Sequence, residues 1–175
     1  MSFAPVQITA MKAESLPVLG FWKDGDSLVP TQAATDAWSA PLIETLRSSG
    51  LFPSQKGEML TFPPCSEWPV GLVLLHLGNR SERTTEGISA LVRTTVAKLR
   101  KMPSLLFSAF DWFGDNRDEG ARLFAQNVVR ALAPKVNYKK DIDTPQCPEV
   151  LWLSDTDESK ALAEGAAIGA AIVGM

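Results

Sequence analysis

The chain has 175 residues, of which 45% are hydrophobic and 21% charged, and its formal net charge at pH 7 is −3. This length suits one domain with a single core, and the composition excludes a disordered chain. The small negative charge gives no electrostatic reason to bind nucleic acid or an anionic membrane, so neither partner is expected. Cys65 and Cys147 belong to no disulfide or zinc motif and the N-terminus shows no secretory signal, which indicates a cytoplasmic protein with reduced thiols.

Short apolar runs predict the strands of the first half of the chain. They lie at 5–11, 17–22, 58–62 and 70–78. The last of them is apolar nearly throughout, which is typical of a central strand covered on both faces. Asp24-Gly25 predicts a turn, and a helix capped by Thr35 or Asp36 is predicted to end at Gly50.

The second half of the chain alternates helices with strands. Ser81 precedes an amphipathic helix that is predicted over 82–102, and a further helix opens at Asp118. Strands are predicted at 104–110 and 148–154. This alternation is typical of an α/β sheet that is covered by helices on both faces.

A final apolar helix is predicted after the last strand. Asp155 or Thr156 is expected to cap it, with Glu158 as the capping-box partner. Its end, ALAEGAAIGAAIVGM, has fifteen residues, which is short of the roughly 20 that span a bilayer. The GxxxG pair Gly165 and Gly169 therefore predicts a close approach to a neighbouring helix. The helix is apolar on more than one face, which predicts cover from beyond this chain.

His76 and the turn after it form the first candidate ligand site. His76 lies near the end of an apolar strand, and α/β sheets bind ligands at the carboxyl ends of their strands. Gly78 and Asn79 follow and lead into a helix, the position that phosphate-binding loops occupy. A dinucleotide loop needs several glycines, and one is present here. No nucleophile with its own motif accompanies His76, so the favoured interpretation is a hydrogen-bonded core residue beside an ordinary turn.

The segment DWFGDNRDEG, at 111–120, is the second candidate. Its acidic residues suggest a divalent metal, but their spacing does not match a calcium loop, and negative charge is favoured at a helix N-terminus in any case. Trp112 and Phe113 lie in this polar stretch and are candidates for exposed interface aromatics. No catalytic residue and no metal ligand is assigned, because the sequence assembles no nucleophile, base and orienting group.

Several stretches resemble, in this order, the N-terminal domain of the leucyl aminopeptidase family, the cytosolic two-metal aminopeptidases. They are VLGFWKDG (18–25), VGLVLLHLGNR (70–80), RLFAQNVVRALAPKVNYKKDIDTP (122–145), PEVLWLSD (148–155) and DESKALAEGAAIGAAIVGM (157–175). Ala163-Glu164-Gly165 is similar to an Ala-Glu-Gly element that is typical of the family's helix at this place. The resemblance covers about the whole chain, and the order and spacing of the stretches carry it.

The resemblance implies a three-layer α/β/α fold similar to macro domains, with a mixed central sheet of about five or six strands. It implies an α/β domain over 1–155 and, over 156–175, a helix leading into a C-terminal catalytic domain, with Glu164, Gly165 and Gly169 on that interdomain helix. The family's two divalent metal ions, zinc or manganese, belong to the catalytic domain, so no cofactor is assigned to this chain. The implied partners are that domain or other subunits of a hexameric aminopeptidase.

The leading hypothesis is a non-catalytic N-terminal domain of a leucyl-aminopeptidase-like protein, which serves packing, active-site access and oligomer assembly. The parent activity would be metal-dependent release of N-terminal amino acids from peptides. The chain is then either a fragment of a longer aminopeptidase or a free-standing relative without the enzyme half. One alternative is a macro-like module that binds a nucleotide or an ADP-ribose-type ligand, and a weaker one is a DNA-binding accessory.

Overall fold

The computed structural model describes residues 6–8, 14–37, 48, 50, 55–64, 68–133 and 147–174. Within these ranges, seven strands share one sheet. The strands are β1 (Val6–Ile8), β2 (Leu16–Asp24), β3 (Ser27–Pro30), β4 (Met59–Phe62), β5 (Leu72–Asn79), β6 (Ser104–Ser108) and β7 (Glu149–Leu153). The helices with described bounds are α1 (Gln32–Ala37), α2 (Thr85–Lys98), α3 (Arg117–Leu132) and α4 (Ser159–Ile172).

The sheet is mixed, as the resemblance implies. Six strands lie side by side in the order β1-β7-β6-β2-β5-β4, and β3 pairs with the second half of β2. The first five strands in this order are mutually parallel, whereas β4 and β3 are antiparallel to their neighbours. The predicted turn at Asp24-Gly25 is confirmed, since Gly25 has a φ of 61° and joins β2 to β3. The strand β3 itself is an addition that the sequence did not predict.

Helices lie on both faces of the sheet, and the predicted three-layer α/β/α fold is confirmed. One face packs against α2, α3 and α4 through a large apolar core, whose members include Val18, Leu75, Val92, Phe107, Phe124, Val128, Trp152 and Leu162. The other face carries a smaller cluster, with Leu19, Phe21, Ala34, Trp68, Leu72 and Leu74. Alternate residues of one strand serve opposite faces, which explains why β5 is apolar along its length.

The first helix begins earlier than the sequence predicts. The hydroxyl oxygen of Thr31 accepts a hydrogen bond from the backbone N–H of Ala34 at 3.1 Å, so Thr31 caps α1. The predicted caps Thr35 and Asp36 lie inside the helix, and that prediction is wrong. Threonine satisfies a free amide at a helix start only where the chain enters from an extended segment, and β3 supplies that segment here. Most of the remainder of the predicted helix lies outside the described residues.

The starts of α2 and α3 also differ from the predicted positions, by three residues and by one residue. The helix α2 begins at Thr85 instead of residue 82, and Thr84 caps it, because its hydroxyl oxygen accepts from the N–H of Gly87 at 3.0 Å. The residues before Thr84 form a short 3-10 turn instead of the helix. Asn116 caps α3 just ahead of the predicted opening at Asp118. In both cases the side chain of the residue directly before the helix accepts from one of the first free backbone amides.

The cap predicted for the last helix is wrong. The helix α4 begins at Ser159, and the residue before it, Glu158, makes no capping bond through its side chain. Glu158 is instead buried, with 2% of its surface exposed, and its carboxylate accepts hydrogen bonds from the hydroxyls of Ser154 at 2.9 Å and Thr156 at 2.8 Å. A buried carboxylate requires such partners. Thr156 therefore supports the turn before the helix rather than the helix end.

Candidate functional site

The carboxyl edge of the sheet has the geometry in which α/β proteins bind ligands. The parallel strands β2, β5, β6 and β7 all end at this edge. After β2 the chain runs through β3 to α1, whose Ala34 packs in the smaller cluster, whereas after β6 it reaches α3, which packs in the larger core. Two adjacent strands whose connections leave to opposite faces mark a topological switch point, where a crevice opens in open α/β sheets.

Asp111 bridges this switch point. It follows β6, and its Oδ2 accepts a hydrogen bond from the backbone N–H of Gln32, at the start of α1, at 2.8 Å. Its Oδ1 is buried and has no hydrogen-bond partner among the described residues. Burial raises the pKa of the Asp111 carboxyl, against the opposing effect of the backbone N–H groups of Gln32 and Ala33 and of the nearby Arg80. The sequence grouped Asp111 with the other acids of 111–120, but it serves the opposite side of the sheet.

His76 is a hydrogen-bonded core residue, as the favoured interpretation of the sequence has it. It is 4% exposed, and its Nδ1 accepts from the backbone N–H of Gly78 at 2.9 Å. An Nδ1 that accepts is unprotonated, which assigns the ring proton to Nε2 in the neutral form. Burial lowers the pKa of His76 below its ordinary 6.5, the charge of Lys23 lowers it further, and Glu58 opposes both.

Gly78 and Asn79 are the last two residues of β5, at an irregularity in its pairing with β2, and they do not form an anion-binding loop. Gly78 has a φ of 95°, which favours glycine, and a Cβ there would lie 2.9 Å from Cδ of Lys56. Asn79 ends β5, and its side-chain amide donates to a carboxylate oxygen of Glu82 at 3.4 Å. One glycine and one side-chain amide at this strand end do not provide the series of backbone amides that a diphosphate needs.

Trp112 lies in the core, so its expected exposure is wrong. Its indole is fully buried and contacts the ring of Phe107 edge to face, with centroids 5.9 Å apart. The indole Nε1 has no partner among the described residues and lies against Gly20 of β2, where a Cβ would come within 2.7 Å of it. Phe113 is half-buried and packs on the same core. The polar residues around these aromatics concealed their burial in the sequence.

The helix α4 packs on α3 through its two glycines. A Cβ at Gly165 would overlap the backbone oxygen of Arg122, and one at Gly169 would lie 2.6 Å from the backbone oxygen of Gln126. The predicted close approach to a neighbouring helix is confirmed. Glu164 closes this contact at its edge, because its carboxylate accepts from the guanidinium of Arg122 at 3.0 Å. The three residues assigned to the interdomain helix therefore all contact α3 of the same domain.

Neither a metal centre nor a membrane span is found in the described part of the chain. Its His, Cys, Asp and Glu side chains form no group of three that could hold a metal ion. The acids Asp118 and Glu119 instead lie in the first turn of α3, where the helix dipole favours negative charge. No helix there is long and apolar enough to cross a bilayer.

Comparison with known proteins gives matches at the level of structure. No family model and no curated protein sequence matches the chain. A structure of the bottromycin maturation enzyme BotP matches over 91% of the length of this chain and 31% of the length of the BotP chain, at 20% identity and a TM-score of 0.61. A second structure of this enzyme, in complex with Mn, matches over 93% of this chain and 30% of its own, at 21% identity and a TM-score of 0.58.

A point mutant of tomato leucine aminopeptidase also matches. The match covers 99% of this chain and 36% of the length of the tomato protein's chain, at 12% identity and a TM-score of 0.62. The chain thus spans about a third of the length of the solved structures it matches. At these identities the likeness establishes the fold, which is an α/β domain of the kind found in aminopeptidase-like proteins.

Proposed function

We propose that this chain is a non-catalytic N-terminal domain of a leucyl-aminopeptidase-like protein. Its role is to pack on a catalytic domain, to shape access to the active site and to support an oligomer, a hexamer by resemblance. The parent activity is the metal-dependent release of N-terminal amino acids from peptides. The two divalent ions of that activity, zinc or manganese, bind to the catalytic domain, and the assembly is cytoplasmic.

One observation carries the proposal. The match to tomato leucine aminopeptidase covers 99% of this chain but 36% of that chain. The match to BotP likewise covers 91% of this chain but 31% of the BotP chain. A whole domain that corresponds to one part of a larger protein fits an accessory role within that protein. The described residues agree with this role, since their polar groups at the carboxyl edge serve mainly to hold the fold.

A hydrolysis assay tests the proposal directly. The purified 175-residue chain should release no amino acid from leucyl substrates with manganese or zinc, while the intact polypeptide that carries it should do so and lose the activity to a chelator. Release by the purified chain would refute the non-catalytic role. Absence of release by the intact, metal-loaded polypeptide would refute the parent activity.

The effect on assembly and access is measured on the same intact polypeptide. Removal of residues 1–155 should lower the mass of the assembly in light scattering and should change KM for longer peptides more than for leucyl-amide substrates. Unchanged mass and unchanged KM values would contradict both roles.

A second candidate function is the binding of a nucleotide or an ADP-ribose-type ligand at the switch point. The observation that favours it is the buried Oδ1 of Asp111, an acceptor without a partner among the described residues. A ligand amine or hydroxyl would satisfy it. Calorimetry with ADP-ribose tests this candidate, with Asp111→Asn as the matched variant. Tight binding that this variant weakens would favour it, and no heat of binding at millimolar ligand would exclude ADP-ribose.

A further inference from the structure

An arginine between α2 and α3 is oriented by a chain of two hydrogen bonds. The guanidinium of Arg93, on α2, donates through Nη1 to Oδ1 of Asn127, on α3, at 2.6 Å. Asn127 is 1% exposed, and its Nδ2 donates in turn to the backbone oxygen of Leu123 at 2.7 Å. Because a carbonyl engages the amide nitrogen, the amide oxygen is left to face Arg93. The two bonds therefore fix a half-buried guanidinium at the surface between the helices.

A second arginine lies beside the first. Arg130 follows Asn127 by three residues on α3, so both side chains lie on one face of that helix. The charge of Arg130 lowers the pKa of Arg93, after the larger effect of burial, so the two guanidinium groups are close enough to interact. Both are positively charged at neutral pH and repel each other. Arg93 and Arg130 are named the arginine pair.

No acidic side chain pairs with the arginine pair in the part of the chain that the structure describes. The arginines that form ion pairs there are Arg117 and Arg122. The acids of α2 and α3 lie in the first turns of these helices, whereas Arg93 and Arg130 lie in their second halves. The positive charge of the pair is therefore not balanced within the described domain.

The helix dipole accounts for one member of the pair. Arg130 lies in the last turn of α3, where a positive charge is favoured. Arg93 is the ninth of the 14 residues of α2, which lies outside the last turn to which the dipole effect is confined. A partly desolvated guanidinium beside a like charge costs folding free energy unless an opposite charge balances it. An anionic ligand would supply that charge.

The geometry of the pair defines the class of anion. After the bond to Asn127, Arg93 keeps its Nε and Nη2 hydrogens, an edge that matches two oxygens of a carboxylate or a phosphate. A carboxylate brings one negative charge and would leave one arginine unbalanced. A phosphate monoester carries about −1.5 to −2 charges at pH 7 and has three terminal oxygens, which can accept from both arginines. A phosphodiester of nucleic acid carries one charge and is the poorer match.

We propose that Arg93 and Arg130, with Asn127 as the positioning residue, form a binding site for a dianionic phosphate group. The group belongs either to a small phosphate monoester or to free phosphate. The site uses no residue of the carboxyl edge and does not depend on the proposed function. A bound phosphate would link α2 to α3 and stabilise the domain, because it binds the folded chain alone.

A titration followed by nuclear magnetic resonance tests the site in the 175-residue chain. Methyl phosphate and inorganic phosphate, at constant ionic strength, should shift the side-chain Nε–H signals of Arg93 and Arg130. The variant Arg130→Ala should weaken the binding of both by about 10-fold, because one of two charge-assisted contacts is lost. The fold should not change, since the side chain of Arg130 makes no hydrogen bond or ion pair among the described residues. Arg93→Lys keeps the charge but loses the planar fork, and it should also weaken binding.

The matched control is Lys160→Ala, which removes the same charge from an exposed position in the first turn of α4. It should bind both ligands as the original protein does. Equal weakening in Lys160→Ala and Arg130→Ala would show that only the overall charge matters and would overturn the site. No shift of the two arginine signals at tens of millimolar ligand would overturn it as well.

A comparison of ligands tests the class of anion. Acetate and dimethyl phosphate, which carry one charge each, should bind about 10-fold more weakly than methyl phosphate. Equal binding of either would contradict the assignment of a dianion, and shifts caused by duplex DNA alone would identify a nucleic-acid backbone instead. Tighter binding of methyl phosphate than of inorganic phosphate would identify a monoester as the ligand. Binding of inorganic phosphate that is equal or tighter would identify free phosphate.

Discussion

The carboxyl edge of the sheet and the helix α4 differ in how many of their side chains find partners within the domain. At the carboxyl edge, the side chains of His76, Asn79 and Asp111 all make hydrogen bonds within the domain. On α4, one side is packed backbone to backbone on α3, and the other leaves Ile168 and Ile172 in solvent. The edge that usually binds ligands in α/β proteins is thus largely engaged in the fold, while the apolar helix is where a partner would gain most.

The largest expected effect is on the packed side of α4. Gly165→Ala improves helix propensity by about 1 kcal/mol, but its methyl group would overlap the backbone oxygen of Arg122. A backbone atom cannot turn away, so the net result should be a loss of about 1–3 kcal/mol in the free energy of unfolding. Urea denaturation followed by circular dichroism measures it.

The exposed side of the same helix provides the control. Ala167→Gly removes a methyl group that touches no packed helix, and it should cost about 1 kcal/mol through propensity alone. A Gly165→Ala protein that is more stable than the original would contradict the close contact between α3 and α4.

A smaller loss is expected at the carboxyl half of β2. In Gly20→Ala the new Cβ would come within 2.7 Å of both Cδ1 of Leu77 and Nε1 of Trp112. Both neighbours are side chains that can shift, so we expect a loss of about 1 kcal/mol. Urea denaturation measures it, and tryptophan fluorescence should also change. Combination with Trp112→Phe should be less than additive, because the phenyl ring lacks the crowded nitrogen, and full additivity would place the strain elsewhere.

A pH-dependent effect is expected at His76. Its pKa in the folded protein is lowered below the ordinary 6.5, first by burial and then by Lys23. Below pH 6.5 the unfolded chain therefore takes up this proton before the folded one does. The stability that the neutral ring contributes is present above pH 6.5 and is lost as pH falls through the folded pKa.

The variant His76→Gln isolates this contribution. Urea midpoints measured from pH 8 to pH 5 should fall less steeply below pH 6.5 in the variant than in the original protein. An identical pH dependence in both would show that groups other than His76 account for the change.

The smallest effect is expected on the exposed face of α4, which carries Ile168 and Ile172. In the 175-residue chain, Ile168→Ala and Ile172→Ala should each change the free energy of unfolding by no more than about 0.5 kcal/mol, as is usual for exposed positions. Chemical denaturation of both variants measures this. A loss of 2 kcal/mol or more would mean that the face is already covered within the chain, and the contrast between the two sides of α4 would disappear.

Local sequence patterns predicted most of the described elements but few of their boundaries. The apolar run that became β5 and the amphipathic pattern of α2 are strong signals, because their periodicity extends over many residues. The caps were misplaced because several residues near each helix start can accept from a backbone amide. In the structure Thr31 is a cap, where Thr35 or Asp36 was predicted, and Thr84 is the cap of a helix for which the sequence indicated none.

The candidate site residues show the same difference between local signals, which the sequence carries, and contacts between distant residues, which it does not. His76 was correctly interpreted as a core residue, since it lies on an apolar strand and buried histidines need a hydrogen-bond partner. Trp112 was misjudged because its neighbours in the chain are polar, while its neighbours in space, Gly20 and Phe107, lie far away in the sequence. The bridge from Asp111 to α1 was missed for the same reason, although an aspartate just after a buried strand was an available signal.

By itself the sequence determined the class of fold, the alternation of strands and helices, and the presence of two small residues that allow a close helix contact. These follow from hydrophobic periodicity and side-chain size, which are local properties. The tertiary structure alone decided which helix Gly165 and Gly169 contact, which acid bridges the switch point, and which side of α4 remains exposed. Each of these depends on residues that are distant in the chain and become neighbours only when the sheet orders its strands.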